Sequence, residues 1–479
     1  MREGRTGERM LARPDGDCGH ARAGGGRVWY DPGSMSETAV TRTEPPKAFR
    51  WAVLVLISLA MFGNYYVYDS ISPLADVLKA QLGFSDANIG LLNAIYSFPN
   101  IVMVLLGGIV IDRIGTRRAT LLFGVLCFAG AVLTALSGTL AMMAAGRLVF
   151  GLGAESLIVA ITTAIAKWFR GKELSFAFGV NLTIARLGSF AALNSPSWAA
   201  PAYQSWQWPL VIAVGFATFC VTGALLYWVL EKRADERYDL GAESTDKVVW
   251  ADLFRFGTSY WLVVALCITF YSAIFPFQTF AVKFFMEAHG TSRETGGFLS
   301  SLLTLFAMIF TPLFGLLVDK VGKRAIFMMF GSLLLVPVYL MMAYTRMPAL
   351  ILFEARLPFV EMAFPVYLPI VMMGIAFSLI PAVMWPSVAY LVDQSKLGTA
   401  YGLMTMIQNI GLFGFNILIG WSNDHWQGTA ANPEGYTPGM WMFSVLGFAG
   451  LLFAWLLRRR ETGPHARGLE TITTATPRG

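Results

Sequence analysis

Charge is scarce in this chain, and histidine and cysteine are scarcer still. Charged residues make up 14% of the 479 and hydrophobic residues 56%, against about 25% charged in ordinary soluble domains. Too few polar side chains remain to cover a water-facing surface, so a string of soluble domains is excluded and most of the chain must face lipid. The four cysteines, Cys18, Cys127, Cys220 and Cys267, cannot build a disulfide framework, and three of them lie in apolar runs where a thiol is simply a small hydrophobe. The four histidines, His20, His289, His425 and His465, fall outside the apolar runs, which argues against a buried metal site or a histidine relay. There is no Ser-His-Asp set, no CxxC site and no phosphate loop, so no enzyme, catalytic residue, metal or cofactor is expected. The net charge of +6 sits largely in the N-terminal arm, the C-terminal tail and short basic loops. No basic helix face is interleaved with aromatics, so nucleic acid is not an expected partner.

What the chain does have is apolar runs. A bilayer core takes about 20 apolar residues per helix, and twelve runs qualify: roughly 51–72, 88–111, 119–137, 140–166, 174–197, 208–230, 257–282, 296–318, 325–344, 365–391, 399–420 and 439–457. Prolines interrupt or flank the fifth, seventh and tenth. The stretch 345–362 is also apolar but carries Glu354, Arg356 and Glu361, and reads as an outer loop or interfacial helix. Lys and Arg concentrate in the two termini and alternate loops, while the other loops hold only Lys79, Lys283, Arg293, Arg346 and Arg356. The positive-inside bias then predicts both termini in the cytoplasm. Residues 1–34 are rich in Arg and Gly without an apolar core, hence no signal peptide. Translation from Met35 is expected, with the preceding segment dispensable.

The chain also repeats itself. "GIVIDRIGTRRA" opens at Gly108 and "GLLVDKVGKRA" at Gly315, and the same offset carries Trp51, the start of the first run, onto Thr258, the start of the seventh. In each loop a Gly that permits close helix approach is followed by an Asp able to cap a helix or pair with a base, then by a second Gly and bases that hold the loop inside. The expected fold is an all-α membrane protein: twelve transmembrane helices in two pseudo-symmetric six-helix bundles, 51–230 and 257–457. A cytoplasmic linker 231–256 joins them, with a disordered arm 1–50 before and a cytoplasmic tail 458–479 after.

These loops resemble the signature of the major facilitator superfamily of secondary transporters. The match places Gly108, Asp112, Arg113, Gly115, Arg117 and Arg118, and in the second copy Gly315, Asp319, Lys320, Gly322 and Arg324, in the conformational machinery. The resemblance implies two bundles rocking about a central cavity. Arg147, with Gly151 and Gly153, fits the family pattern Arg-x-x-x-Gly-x-Gly and serves either structure or coupling. The block Gly146–Ser189, together with "YDS" at Tyr68, "YSFPN" at Tyr96, "MWPS" at Met384 and "LGTAYGLMTMIQNIG" at Leu397, is similar to the lysosomal dipeptide-uniporter branch, the major facilitator domain-containing protein one type. No acidic dileucine sorting signal stands in the arm, so the chain resembles a bacterial relative in a plasma membrane.

Ionisable residues inside a membrane are costly and usually functional. Asp69, Arg147, Glu155 and Arg186 lie within runs. Glu155 precedes the inner end of its helix near Lys167 by a distance of about 18 Å, and Arg186 follows Glu173 by about 20 Å, so the two sit at similar depth. Either they form a structural ion pair that neutralises itself, or they stand apart and hold the two ends of a zwitterion, Glu155 an ammonium and Arg186 a carboxylate. The branch resemblance implies the second role for both. Tyr68, Asp69, Trp385, Gln408 and Asn409 are further candidates for the cavity wall, with Tyr271 and Gln278 behind them; for the neutral ones, helix packing or the interfacial belt is the competing reading. The expected function is alternating-access transport of a small zwitterion, dipeptides first, as a uniporter; the alternative is a proton-coupled symporter or an exporter of organic anions or drugs. The expected partners are a small-molecule substrate and the lipid bilayer, and the sequence names no accessory membrane subunit.

Overall fold

The computed structural model describes residues 45–169, 173–238, 255–344, 354–357, 360–393, 396–464 and 466–473. The expectations for the arm up to residue 44, including a start at Met35, and for residues 239–254 of the linker lie outside the described residues. Among the described residues twelve helices are long and apolar enough to cross a membrane. Helix α1 (Lys47–Asp69) continues through the turn Ser72–Leu74 into α2 (Ala75–Leu82), and α3 (Asp86–Leu136) comprises two spans. There follow α4 (Leu140–Phe169), α5 (Leu174–Leu193), the short α6 (Ser195–Trp198) and α7 (Gln207–Arg237). The second half holds α8 (Thr258–His289), α9 (Arg293–Val321), α10 (Arg324–Tyr344), α11 (Phe364–Leu391), α12 (Leu397–His425) and α13 (Thr437–Glu461).

The repeat is written into the turns. The two spans of α3 break at Gly115, whose φ is 80°, and the matching turn of the second half holds Gly322 at φ 72°; a side chain there would be strained. At the opposite end the same offset relates Gly83 and Gly290, both left-handed C-caps. It also relates Ser85 and Ser292, whose hydroxyls accept from the backbone N–H of Asn88 and Thr295 at 3.2 Å each. Each half thus turns on a Gly and starts its next helix on a serine cap.

Prolines do not end the helices that carry them. Pro276 sits inside α8 and Pro369, Pro381 and Pro386 inside α11. Within one turn of Pro276 the Ala273 carbonyl accepts from the Tyr339 hydroxyl of α10, at 2.6 Å. Helix α8 therefore runs to His289, beyond the expected end at 282, and brings Lys283 and His289 into the buried interior. Lys283 is thus a membrane-helix residue, where a loop position was expected. The stretch read as a loop or interfacial helix contains a two-stranded antiparallel hairpin, Glu354–Leu357 against Val360–Ala363. Beyond α13 the chain folds back on the second basic loop: Glu470 accepts from the Ala325 N–H at 2.6 Å and so caps α10.

Polar contacts between the halves gather at the end of the bundle away from the basic loops. Lys283 donates to Asp86 at 2.6 and 2.8 Å, with both side chains 0% exposed, and Arg293 pairs with Asp76. Asp424, near the end of α12, accepts the N–H groups of Asp86 and Ala87 at 2.8 and 2.7 Å, which satisfies the free donors at the start of α3. Here the backbones nearly touch: a Cβ on Gly90 would lie 2.2 Å from the Asn416 carbonyl oxygen. Gly108 and Gly315 face open space instead, so the close approach expected of them is not made in this conformation. Gly90→Val should therefore destabilise the protein by about 1–3 kcal/mol through overpacking, read as a lower melting temperature of purified protein, whereas Gly108→Val should leave it unchanged. Equal melting of both variants would contradict the difference in packing between Gly90 and Gly108.

Candidate functional site

Between the halves lies a cavity of about 320 Å³. Its charged lining is Asp69 from α1, Glu155 from α4 and Arg186 from α5, all from the first half. The second half contributes Tyr271, Phe275 and Gln278 from α8, Thr304 from α9, Trp385 from α11, and Thr405 and Gln408 from α12. One wall is therefore charged and the other aromatic and neutral.

Each charged group is set in place by its own helix contacts. Asn64 Nδ2 donates to the Ala154 carbonyl at 3.3 Å, which ties α1 to α4 beside Glu155. The Tyr96 hydroxyl donates to Glu155 Oε1 at 3.4 Å. Arg186 lies over the rings of Tyr65 and Phe377, 5.7 and 5.2 Å from their centroids. Among the described residues Glu155 and Arg186 form no ion pair with each other, nor does Asp69 pair with any base. The two ends of the expected clamp thus share one cavity without neutralising each other, and the self-neutralising pair is not what forms here.

Of the other candidates, Tyr68, Asp69, Trp385 and Gln408 line the cavity, as do Tyr271 and Gln278. Trp385 is fixed there by donating from Nε1 to the Tyr271 hydroxyl at 2.9 Å. Asn409 does not line it. It is buried and donates within its own helix to the Thr405 carbonyl at 3.0 Å, a packing role. The sequence reading missed Asn64, Tyr96, Ser189, Thr304 and Thr405. For α1 a signal was available: Asn64, Tyr65, Tyr68 and Asp69 recur at helical spacing in an otherwise apolar helix, a polar stripe that needs a wet or paired neighbour.

Arg147 lies outside the cavity, 1% exposed. Its guanidinium donates to the carbonyls of Leu92 (3.2 Å), Val67 (3.1 Å) and Tyr68 (3.3 Å) and to Asn93 Oδ1 (2.6 Å). It thereby satisfies the carbonyls at the end of α1 and holds Tyr68 and Asp69 against the cavity. The two signature loops lie at the end where Gly108 and Gly315 face open space. Asp112, Arg113, Arg118 and Lys320 are exposed. Arg117 pairs with Asp235 at 3.4 Å and Arg324 with Asp319 at 3.0 Å.

Comparison with known proteins agrees with this architecture. The chain matches the sequence profile of the Major Facilitator Superfamily over residues 57–285 and 277–476. It is 34% identical over 387 residues to the lysosomal dipeptide transporter MFSD1 of Mus musculus, covering 78% of this chain and 80% of that protein. With the protein of the same name from Danio rerio it shares 33% identity over 386 residues, with the same coverage. A solved bacterial homologue of the human lysosomal transporter Spinster, inward-facing and unoccupied, superposes with a TM-score of 0.70 at 18% identity, over 87% of this chain and 98% of that one.

Proposed function

We propose, from the premise that this chain belongs to the Major Facilitator Superfamily of transporters, that it carries dipeptides by alternating access as a uniporter. One observation carries the reading: Glu155 and Arg186 face a single cavity and, among the described residues, neither is ion-paired. A carboxylate and a guanidinium left apart at one depth suit a ligand with an ammonium at one end and a carboxylate at the other. Asp69, Tyr68, Trp385 and Gln408 complete the wall that surrounds the peptide. The MFSD1 relatives are named as dipeptide transporters, which supports the same substrate class. The basic loops around Asp112–Arg118 and Asp319–Arg324 would meet when the open end closes and the ion pairs at the other end part. With the positive-inside bias, that open end is cytoplasmic, both termini are inside, and a bacterial plasma membrane is the proposed location.

The test is uptake of a small dipeptide panel into liposomes holding the purified protein, with and without a pH gradient. Uptake down the dipeptide gradient alone is expected. Glu155→Gln should weaken uptake of free dipeptides by about tenfold or more, the loss of one charged hydrogen bond, and change N-acetylated ones far less, since these have no ammonium. An equal loss for both would remove Glu155 from the role given to it. A second reading also has an observation behind it. Asp69 faces the cavity without an ion-pair partner among the described residues, as a proton carrier would. Uptake that requires a pH gradient, and loses that requirement in Asp69→Asn, would favour proton-coupled transport.

A further inference from the structure

The Arg186 guanidinium is held by rings and not, among the described residues, by hydrogen bonds. Two rings flank it: Tyr65 of α1, in its own half, and Phe377 of α11, in the other half. Among the described residues no hydrogen bond engages its guanidinium. A ring attracts the cation through the π-face, so the in-plane N–H fork stays open to the cavity. That fork is the part of arginine that grips a carboxylate with two parallel hydrogen bonds.

Phe377 is placed to act as a fixed plate. It is 1% exposed and does not line the cavity. Phe275 meets it edge-on at 5.9 Å and Phe270 lies near-parallel at 6.4 Å. Phe275 is itself stacked on Tyr271 at 5.6 Å, and the Tyr271 hydroxyl accepts from Trp385. This aromatic stack belongs entirely to the second half, whereas Arg186 belongs to the first.

We propose that Phe377 is a positioning residue for substrate: its ring, together with that of Tyr65, holds the Arg186 fork toward the cavity, so that the carboxylate site is complete only where the two halves meet. The inference rests on the reading of Arg186 as the carboxylate's partner. It adds that this partner is preorganised across the bundle interface. A fork held in its binding orientation loses less rotamer freedom on binding, so the plate contributes affinity without touching the ligand.

The experiment uses the full chain in liposomes, with dialanine as the transported probe and dialanine amide, which lacks the carboxylate, as competitor. Phe377→Leu should raise KM for dialanine about three- to thirtyfold, the range of a partly to fully desolvated cation–π contact, with kcat little changed. It should leave the inhibition constant of the amide unmoved. Phe377→Tyr, which keeps the ring, should restore the affinity. In an Arg186→Ala background Phe377→Leu should add nothing. If Phe377→Leu fails to fold, Tyr65→Leu probes the second ring and should show the same acid-against-amide split. An equal loss for acid and amide, or a loss that persists without Arg186, makes Phe377 a mere packing residue and overturns the proposal. Arg186→Ala separates the two levels. If it weakens acid and amide alike, the carboxylate reading itself fails. If it weakens only the acid while Phe377→Leu is neutral, only the plate fails.

Discussion

Arg186→Ala should cost the protein nearly all of its dipeptide transport, and Arg186→Lys most of it. Truncating one partner of a desolvated charged hydrogen bond costs about 2–5 kcal/mol, or roughly thirtyfold to several thousandfold in affinity. Lysine keeps the charge but not the planar fork, and falls at the low end of that range. The decisive variant is the swap, Glu155→Arg with Arg186→Glu. It preserves the cavity's net charge, so a merely structural pair would tolerate it. A site that reads the polarity of a peptide would not, because Tyr96 beside Glu155 and the rings beside Arg186 were built for the opposite charges. Liposome uptake of dialanine should be lost in the swap while melting temperature stays within a few degrees. Transport at the normal rate would falsify the zwitterion clamp.

That Glu155 and Arg186 come to one cavity was legible because each lies a countable number of turns from a charged helix end, and level along a helix needs only the rise per residue. Which way a side chain points needs the helix phase, which boundaries uncertain by a few residues do not supply. Gln408 and Asn409 show the difference: neighbours about 100° apart around α12, one lines the cavity and the other packs away from it. The same limit hid Tyr96 and Thr405. Lys283 was missed for another reason. Hydropathy sums along the chain, so a lysine at the end of an apolar run reads as a loop residue. In the fold its cost is met by Asp86, which is distant in sequence and on the other half. The repeat was clear at the basic loops, where Gly, Asp and bases coincide. It was overlooked at the other end, where only a Gly and a serine mark each copy.

That overlooked end yields the second large effect. The repeat offset carries Asp76 onto Lys283 and Asp86 onto Arg293, so the pairs Asp76–Arg293 and Asp86–Lys283 are one contact made twice, related by the pseudo-symmetry of the halves. In both, the first half supplies the acid and the second the base. The copies differ in wetness: Asp86 and Lys283 are 0% exposed, Asp76 and Arg293 19% and 23%. Lys283 also donates to the Tyr436 hydroxyl at 2.9 Å, and Tyr436 in turn donates to Glu287. Lys283→Met should therefore destabilise the sealed end by about 3–5 kcal/mol, the cost of stranding a buried carboxylate, softened because Lys79 stays 3.2 Å from Asp86. The wetter pair permits a cleaner control. Arg293→Asp alone sets like charges face to face and should loosen the seal, and adding Asp76→Arg should restore it. A single cysteine at Gln278, in a background without other cysteines, reports the opening through its labelling rate by a membrane-impermeant maleimide added from the sealed side. Labelling should rise in Lys283→Met and in Arg293→Asp and return to the parent rate in the Asp76→Arg, Arg293→Asp double variant. Unchanged labelling in both single variants would show that apolar and backbone contacts such as Gly90 against Asn416 hold this end shut, and that the doubled ion pair contributes nothing to it.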